Sequence, residues 1–311
     1  MRESPGRVAV ESAIRRFCNL SPQQKRVPSM RPNRLRELLS ADKPSLGTHV
    51  HISWPTVIEL IGHSKQFDYV EFVGEYAPYD LYALENIGRA IDLFDNFSGM
   101  MKIEQEPRLQ LAIRSIGSGI QNLLFADIRT VEDAEHCVKA TRAECPGSDG
   151  LHGVGMRRDV GFVLEAGTPA FVKALDDAVV ALMMEKIPAI DNMEAIMNVK
   201  GVDMVQFGPA DYSMNLGLTG QFKHPKVLEA EERMIKTAHE CGVAPRAEIG
   251  SPEQAKRYLD LGVKHFCMGT DVSVLYDWFC KSGDDLRKTL DGTAEGVSGA
   301  SVQREEKSYR G

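Results

Sequence analysis

Glu185 and Asp211 are the residues whose type and spacing point most directly to chemistry. Each follows an apolar run: Val179–Met184 leads into Glu185, and Met204–Phe207 leads through Gly208-Pro209-Ala210 to Asp211 within GVDMVQFGPADYS (201–213). Gly and Pro end strands, so Asp211 falls on the loop just past a strand's C-terminal end. In a parallel α/β barrel that end is the active-site face, and two carboxylates on neighbouring strands there make a seat for a hard divalent cation. Taken alone, the pair serves equally well as a helix cap and a surface acid.

Side-chain alternation adds further candidates. His49 and His51 share one face of LGTHVHIS (46–53), and Lys102 and Glu104 share one face of MMKIEQEP (100–107). Lys102 and Glu104 would form a neutralised pair or an acid/base couple. Arg246 and Glu248 also share a face and could pair. Asp127 adds an acid after Leu123–Ala126. Arg157-Arg158 could meet an anionic substrate arm or be solvated surface charges. The methionines and Cys267 read as core fillers.

These side chains need a scaffold, and the pattern supplies one. Of 311 residues, 43% are hydrophobic and 26% charged, ordinary for a globular chain with room for a large α/β barrel. From Arg34, strand-like and helix-like segments alternate. The strands read as 46–53, 69–73, 100–104, 123–126, 179–184, 204–207, 244–249 and 265–269, which predicts a (β/α)8 TIM barrel. The segment 33–39 reads as a short helix plugging the barrel floor. Residues 145–177, rich in glycine, read as one long irregular loop before strand 5.

The domain reading is an N-terminal extension over 1–33 (with a short helix around Glu11–Cys18), a barrel over 34–291 and a flexible tail over 292–311. A net charge of −7 without a basic tract argues against nucleic acid. No apolar run is long enough to span a membrane, and the N-terminus lacks a signal-peptide core. The six cysteines show no C-x-x-C spacing, so reduced thiols in a cytoplasmic enzyme are expected.

From Leu46 to about Lys288 the chain resembles the metal-dependent 2-oxo acid aldolases of the hydroxy-oxo-heptanedioate (HpcH/HpaI) type, relatives of macrophomate synthase. The matching segments are GEYAPYD (74–80), HGVGM (152–156), Glu185 with the GVD that follows it, GVDMVQFGPADYS, HPKV (224–227) and EQAKRYLDLG (253–262). The resemblance implies a barrel of the phosphoenolpyruvate/pyruvate type in which Glu185 and Asp211 bind Mg2+, Mn2+ or Co2+. The substrate would be a small 2-oxo acid held as pyruvate, with the backbone around Gly208, Pro209 and Ala210 at its carboxylate. Glu75 would orient water on the ion. A homo-oligomer, a hexamer among the options, would form through exchanged C-terminal helices, with which 272–290 is compatible.

The departures from the family pattern concern proton transfer. Where the family has an aspartate–histidine pair in DGEHAPND, this chain has Val73 and Tyr76. A phenol with an ordinary pKa near 10 donates protons but is a poor base at neutral pH. Where the family has a strand-3 arginine, Lys102 supplies charge without the planar fork, and Met183 replaces a glutamine. His49, at a position where relatives carry Trp, is the candidate to supply the missing imidazole, and Arg246 the candidate for the missing carboxylate clamp. The expected activity is a metal-dependent lyase acting through a pyruvate enolate. The alternatives are another metal–enolate reaction (decarboxylation, hydration/dehydration or condensation) and a non-catalytic binding barrel.

Overall fold

The computed structural model describes residues 30–291; the helix expected around Glu11–Cys18 and the tail from Gly292 lie outside them. Eight parallel strands close into a barrel in sequence order: β1 (Ser45–Val50), β2 (Tyr69–Val73), β3 (Ser98–Ile103), β4 (Asn122–Phe125), β5 (Val180–Met184), β6 (Met204–Phe207), β7 (Ala244–Ile249) and β8 (His265–Thr270). The expected (β/α)8 architecture is present, with strand bounds within a few residues of the pattern-based reading.

Local chemistry opens the helices. Helix α1 (Arg34–Ser40) starts at Asn33, whose side chain accepts the Arg36 N–H. Helix α2 (Pro55–Ser64) has Pro at its first position. Asp80 caps α3 (Leu81–Ile91), accepting from the Ala83 N–H at 2.8 Å. Helix α4 spans Arg108–Gly117, and α5 (Val131–Thr141) opens with a capping box of Thr130 and Asp133. The further helices are α6 (Pro169–Asp176), α7 (Ile187–Asp191), α8 (Met193–Met197), α9 (Pro209–Asn215), α10 (Pro225–Cys241), α11 (Ala255–Asp260) and α12 (Asp271–Asp291). The stretch before β8 divides into a 3-10 turn, Pro252–Gln254, and α11.

Two cores result from strand alternation. Outward residues such as Phe72, Met101, Phe125 and Val205 pack beneath the helices. Inward residues Tyr69, Met100, Leu124, Ala181 and Met204 pack on Leu35 of α1 and fill the lower barrel. Arg36 locks this plug by pairing with Asp203 at 2.6 Å and donating to the Asp177 and Ala178 carbonyls. Gly47 is required here, because a Cβ would lie 2.3 Å from the Tyr69 ring that crosses the floor.

The 145–177 stretch departs from its reading as one irregular loop. It holds a 3-10 turn, Arg158–Val160, and then α6, capped by Thr168. Because α5 runs back toward the strands' N-terminal ends, the stretch begins on the floor side. Arg158 pairs with Asp92 at the end of α3, and Arg157 lies 3.2 Å from His152. Neither arginine faces the barrel mouth of its own chain. No described helix is long and apolar enough to cross a membrane, and the five described cysteines are free thiols.

Candidate active site

The mouth is built from the residues that follow β2, β4, β5 and β6. Glu185, the first residue after β5, is 3% exposed. Its Oε1 accepts the backbone N–H of Asp127 at 2.9 Å, and Asp127 makes that possible by adopting a left-handed conformation, φ 56°, which Asp tolerates. Gly208 closes the other side: a Cβ there would stand 2.4 Å from Glu185 Oε2. Pro209 then opens α9, and Asp211 occupies its first turn. Burial lifts the Glu185 carboxyl above its usual range, although Lys102 and the Asp127 N–H oppose this. Among the described residues no cation lies within ion-pair distance of Glu185.

Two ammonium groups stand nearby. Lys102, 6% exposed near the end of β3, places Nζ 2.5 Å from Glu75 Oε2 and donates to Tyr76 Oη at 3.2 Å. Burial alone would discharge it, but the Glu185 and Glu75 carboxylates outweigh burial and hold its pKa above the usual lysine range. Lys186, which follows Glu185 directly, reaches Asp211 Oδ1 at 2.6 Å and Asp127 Oδ1 at 2.8 Å. Burial opposes its charge as well, and the two aspartates again prevail. An imine-forming lysine must be neutral, so neither amine is poised as a nucleophile. Partial burial also raises the Tyr76 phenol, against the pull of Lys102, and a phenol is protonated at neutral pH in any case.

The structure brings Glu75, Tyr76, Lys102, Glu185 and Asp211 together, with Gly208, Pro209 and Ala210 as the turn beneath Asp211. It does not bring His49 or Arg246 to the mouth. Both lie one layer lower, because strand register pairs His49 with Glu71 and Gln206 with Arg246. Arg246 pairs with Glu71, donates to Gln206 Oε1 and donates through Nε to Tyr69 Oη at 2.7 Å. It is therefore no carboxylate clamp, and its ion partner is Glu71 rather than Glu248. His49 lies between Glu71 (3.1 Å) and Glu248 (3.5 Å), and Gln206 donates to Glu248 at 2.9 Å. Burial disfavours the imidazolium, yet the Cys267 sulfur, Glu71 and Glu248 raise His49 to about 10. His49, Glu71 and Cys267 bring donor atoms within 4.8 Å of one another, but Glu71 is already committed to two cationic partners.

The imidazole at the mouth is that of His51, one alternation step beyond His49, with its ring 5.9 Å from that of Tyr76. Its backbone N–H donates to Asp271 at 2.9 Å. Lys186 escapes the sequence reading, although its position directly after Glu185 is an available signal. Lys102 does not pair with Glu104. Glu104 lies past the end of β3 and lines, with Glu75, Tyr79 and Asp80, a cavity of about 560 Å3 beside the site.

Residues 103–277 match the family model described as HpcH/HpaI aldolase/citrate lyase. A 4-hydroxy-2-oxo-heptane-1,7-dioate aldolase of Shigella boydii is 30% identical over 78% of this chain and 90% of its own length. A hydroxypyruvate/pyruvate aldolase of Cupriavidus necator is 30% identical over 77% of this chain and 87% of its own. Among solved structures, an HpcH/HpaI aldolase/citrate lyase family protein of Burkholderia cenocepacia superposes with a TM-score of 0.76 at 28% identity, covering 82% of this chain and all of that one. Macrophomate synthase shares the fold, with a TM-score of 0.72 at 18% identity over 88% of this chain and 99% of that one. Since the family match spans more than half of the 311 residues and agrees with the closed barrel and its mouth carboxylates, this chain belongs to the HpcH/HpaI aldolase/citrate lyase family of carbon–carbon lyases.

Proposed function

We propose that the chain is a divalent-cation-dependent aldolase-type lyase that cleaves or forms a C–C bond of a 2-oxo acid through a pyruvate enolate. The observation that carries this reading is Glu185: a buried carboxylate with no cation partner among the described residues, beside Asp211 at the barrel mouth. Two hard oxygen donors suit Mg2+, Mn2+ or Co2+, and Glu185 and Asp211 would hold the ion. When bound there, such an ion would act as a Lewis acid on the keto group of the substrate.

The chain's own groups supply the rest. Lys102, kept charged and facing Glu185, would balance the carboxylate and developing oxyanion of the substrate, and Glu75 holds Lys102 in place. The first-turn N–H groups of Ala210 and Asp211 would receive the carboxylate, since Pro209 has none to offer. In the cleavage direction the C4 hydroxyl gives up its proton to solvent as the C–C bond breaks and the enolate carbon gains one; Tyr76, protonated at neutral pH, would donate the second and recover it from solvent. The open depression bounded by Glu75, Tyr79, Asp80 and Glu104 shares Glu75 with the site and would receive the portion of the substrate beyond the broken bond. Assembly into a homo-oligomer is part of this reading, because α12 has no buried residue and exposes Val274, Leu275, Trp278 and Phe279.

The experiment is pyruvate release from 4-hydroxy-2-oxo acids with added Mg2+ or Mn2+. Chelation, Glu185→Gln and Asp211→Asn should each lower the rate by at least about 1,000-fold. Tyr76→Phe should cost about 100-fold or more with ion binding unchanged. A second reading, a different enolate reaction, draws on Val73 and Tyr76 standing where relatives have an aspartate–histidine pair. Ion binding without pyruvate release from any such substrate would favour it, and failure to bind an ion would leave a non-catalytic barrel.

A further inference from the structure

Lys186 has no role in the reaction outlined above, yet it is 8% exposed and sits between two carboxylates at the mouth. We propose that Lys186 and Asp127 form an internal counter-cation pair that competes with the divalent ion for Asp211 and thereby sets the ion affinity of the site. The inference rests on the reading of Glu185 and Asp211 as ion ligands.

Position carries the argument. Lys186 is adjacent in sequence to Glu185, so its backbone is fixed where β5 ends. Its Nζ lies 2.6 Å from Asp211 Oδ1, within the coordination space of one of the two ligands. Asp127 Oδ1, 2.8 Å away, offers that ammonium a second carboxylate to lean on. Asp127 in turn is tied to the site, because its backbone N–H holds Glu185 Oε1. Arg129 reaches Asp127 only at 3.6 Å and is 41% exposed, so Lys186 is the closely held cation.

An ammonium and a divalent ion that share one carboxylate repel each other. Even at water-like screening, removing a unit positive charge a few ångströms from a divalent ion should tighten its binding by at least about 10-fold. Asp127 acts in the opposite sense: when it holds the ammonium, Asp211 has an oxygen to give to the ion. Neutralising Asp127 would leave Lys186 to Asp211 alone. Lys186 is accordingly a positioning residue, acting through Asp211 rather than on the substrate.

The test is direct titration of the purified full-length protein with Mn2+, without substrate and at one pH, followed by calorimetry or by the paramagnetic resonance of free Mn2+. Lys186→Met should bind Mn2+ at least about 10-fold more tightly than wild type. Asp127→Asn, which keeps the left-handed backbone that Asn also accepts, should bind it more weakly. In the Lys186→Met background, Asp127→Asn should weaken binding less than it does in wild type, the remainder being the loss of its own negative charge near the ion, as expected for two residues that act partly through one contact. Lys186→Gln should shift affinity in the same direction as Lys186→Met and serves if the methionine variant does not fold. Unchanged or weaker binding in the folded Lys186 variants overturns the inference while leaving the ion site intact. A wild-type protein that binds no divalent ion overturns both readings.

Discussion

Two charged clusters are stacked inside this barrel, and they solve the problem of buried charge in opposite ways. In the lower layer Glu71 and Glu248 meet Arg246 and the raised imidazole of His49, with Gln206 and Tyr69 filling the remaining hydrogen bonds. The charges balance, and the side chains are largely inaccessible. In the mouth, the carboxylates of Glu75, Asp127, Glu185 and Asp211 face the buried ammonium groups of Lys102 and Lys186. Glu185 is left over, and its carboxyl is destabilised by burial. A closed cluster holds strands together, whereas one with unspent charge is arranged for something that arrives later. Composition does not separate the two, since both combine acids and bases on inward strand positions.

The comparison can be broken by removing one member from each layer. Arg246→Met should be the most damaging to folding, by about 3–5 kcal/mol in urea unfolding, because Glu71 is left charged and buried without its main partner. A loss below 1 kcal/mol would mean that the lower layer is not a structural unit.

The lower layer should also show in the pH dependence of stability. Raised from 6.5 to about 10 in the fold, His49 contributes stability that is complete below pH 6.5 and is lost as pH climbs through about 10, by roughly a few kcal/mol. The Glu71 carboxyl, which burial would raise but Arg246 and His49 bring below its usual range, contributes in the opposite window. Its contribution is present above pH 4.5 and lost as pH falls below that. Urea midpoints measured from pH 6.5 to 10 should fall in wild type and fall less in His49→Gln; parallel curves would contradict the charged imidazole.

The smallest effect is the most diagnostic. Glu185→Gln removes a buried carboxylate that makes no ion pair among the described residues, but also a charge that holds buried Lys102 protonated, so without divalent ions the two effects offset and stability should change by less than about 1 kcal/mol. Thermal unfolding in chelator measures this. Destabilisation of about 3 kcal/mol or more would place Glu185 in the same structural class as Glu71.

Much of this was legible in the chain itself, for local reasons. Strands alternating with helices, capped by Asp80 and Thr130, require only short-range chemistry, and so does the Gly208-Pro209 stop that sets Asp211 past the end of β6. Period-two alternation also reports correctly that His49, Lys102 and Arg246 point inward. Alternation says which face a side chain takes but not how far along the barrel axis it sits, nor what stands opposite.

Those facts belong to tertiary structure, because register between strands is a long-range property. Register put His49 beside Glu71 and Arg246 beside Gln206, moving both out of the mouth and leaving His51 as the imidazole near Tyr76. Chain direction carried Arg157 and Arg158 away from the mouth, since the stretch after α5 begins on the floor side. Only the closed barrel brought Asp127, Lys186 and Asp211 to one point from three strand ends. The sequence by itself determined the barrel and the two mouth carboxylates. Tertiary structure decided which cations meet which acids, and so which cluster is balanced and which is open to a ligand.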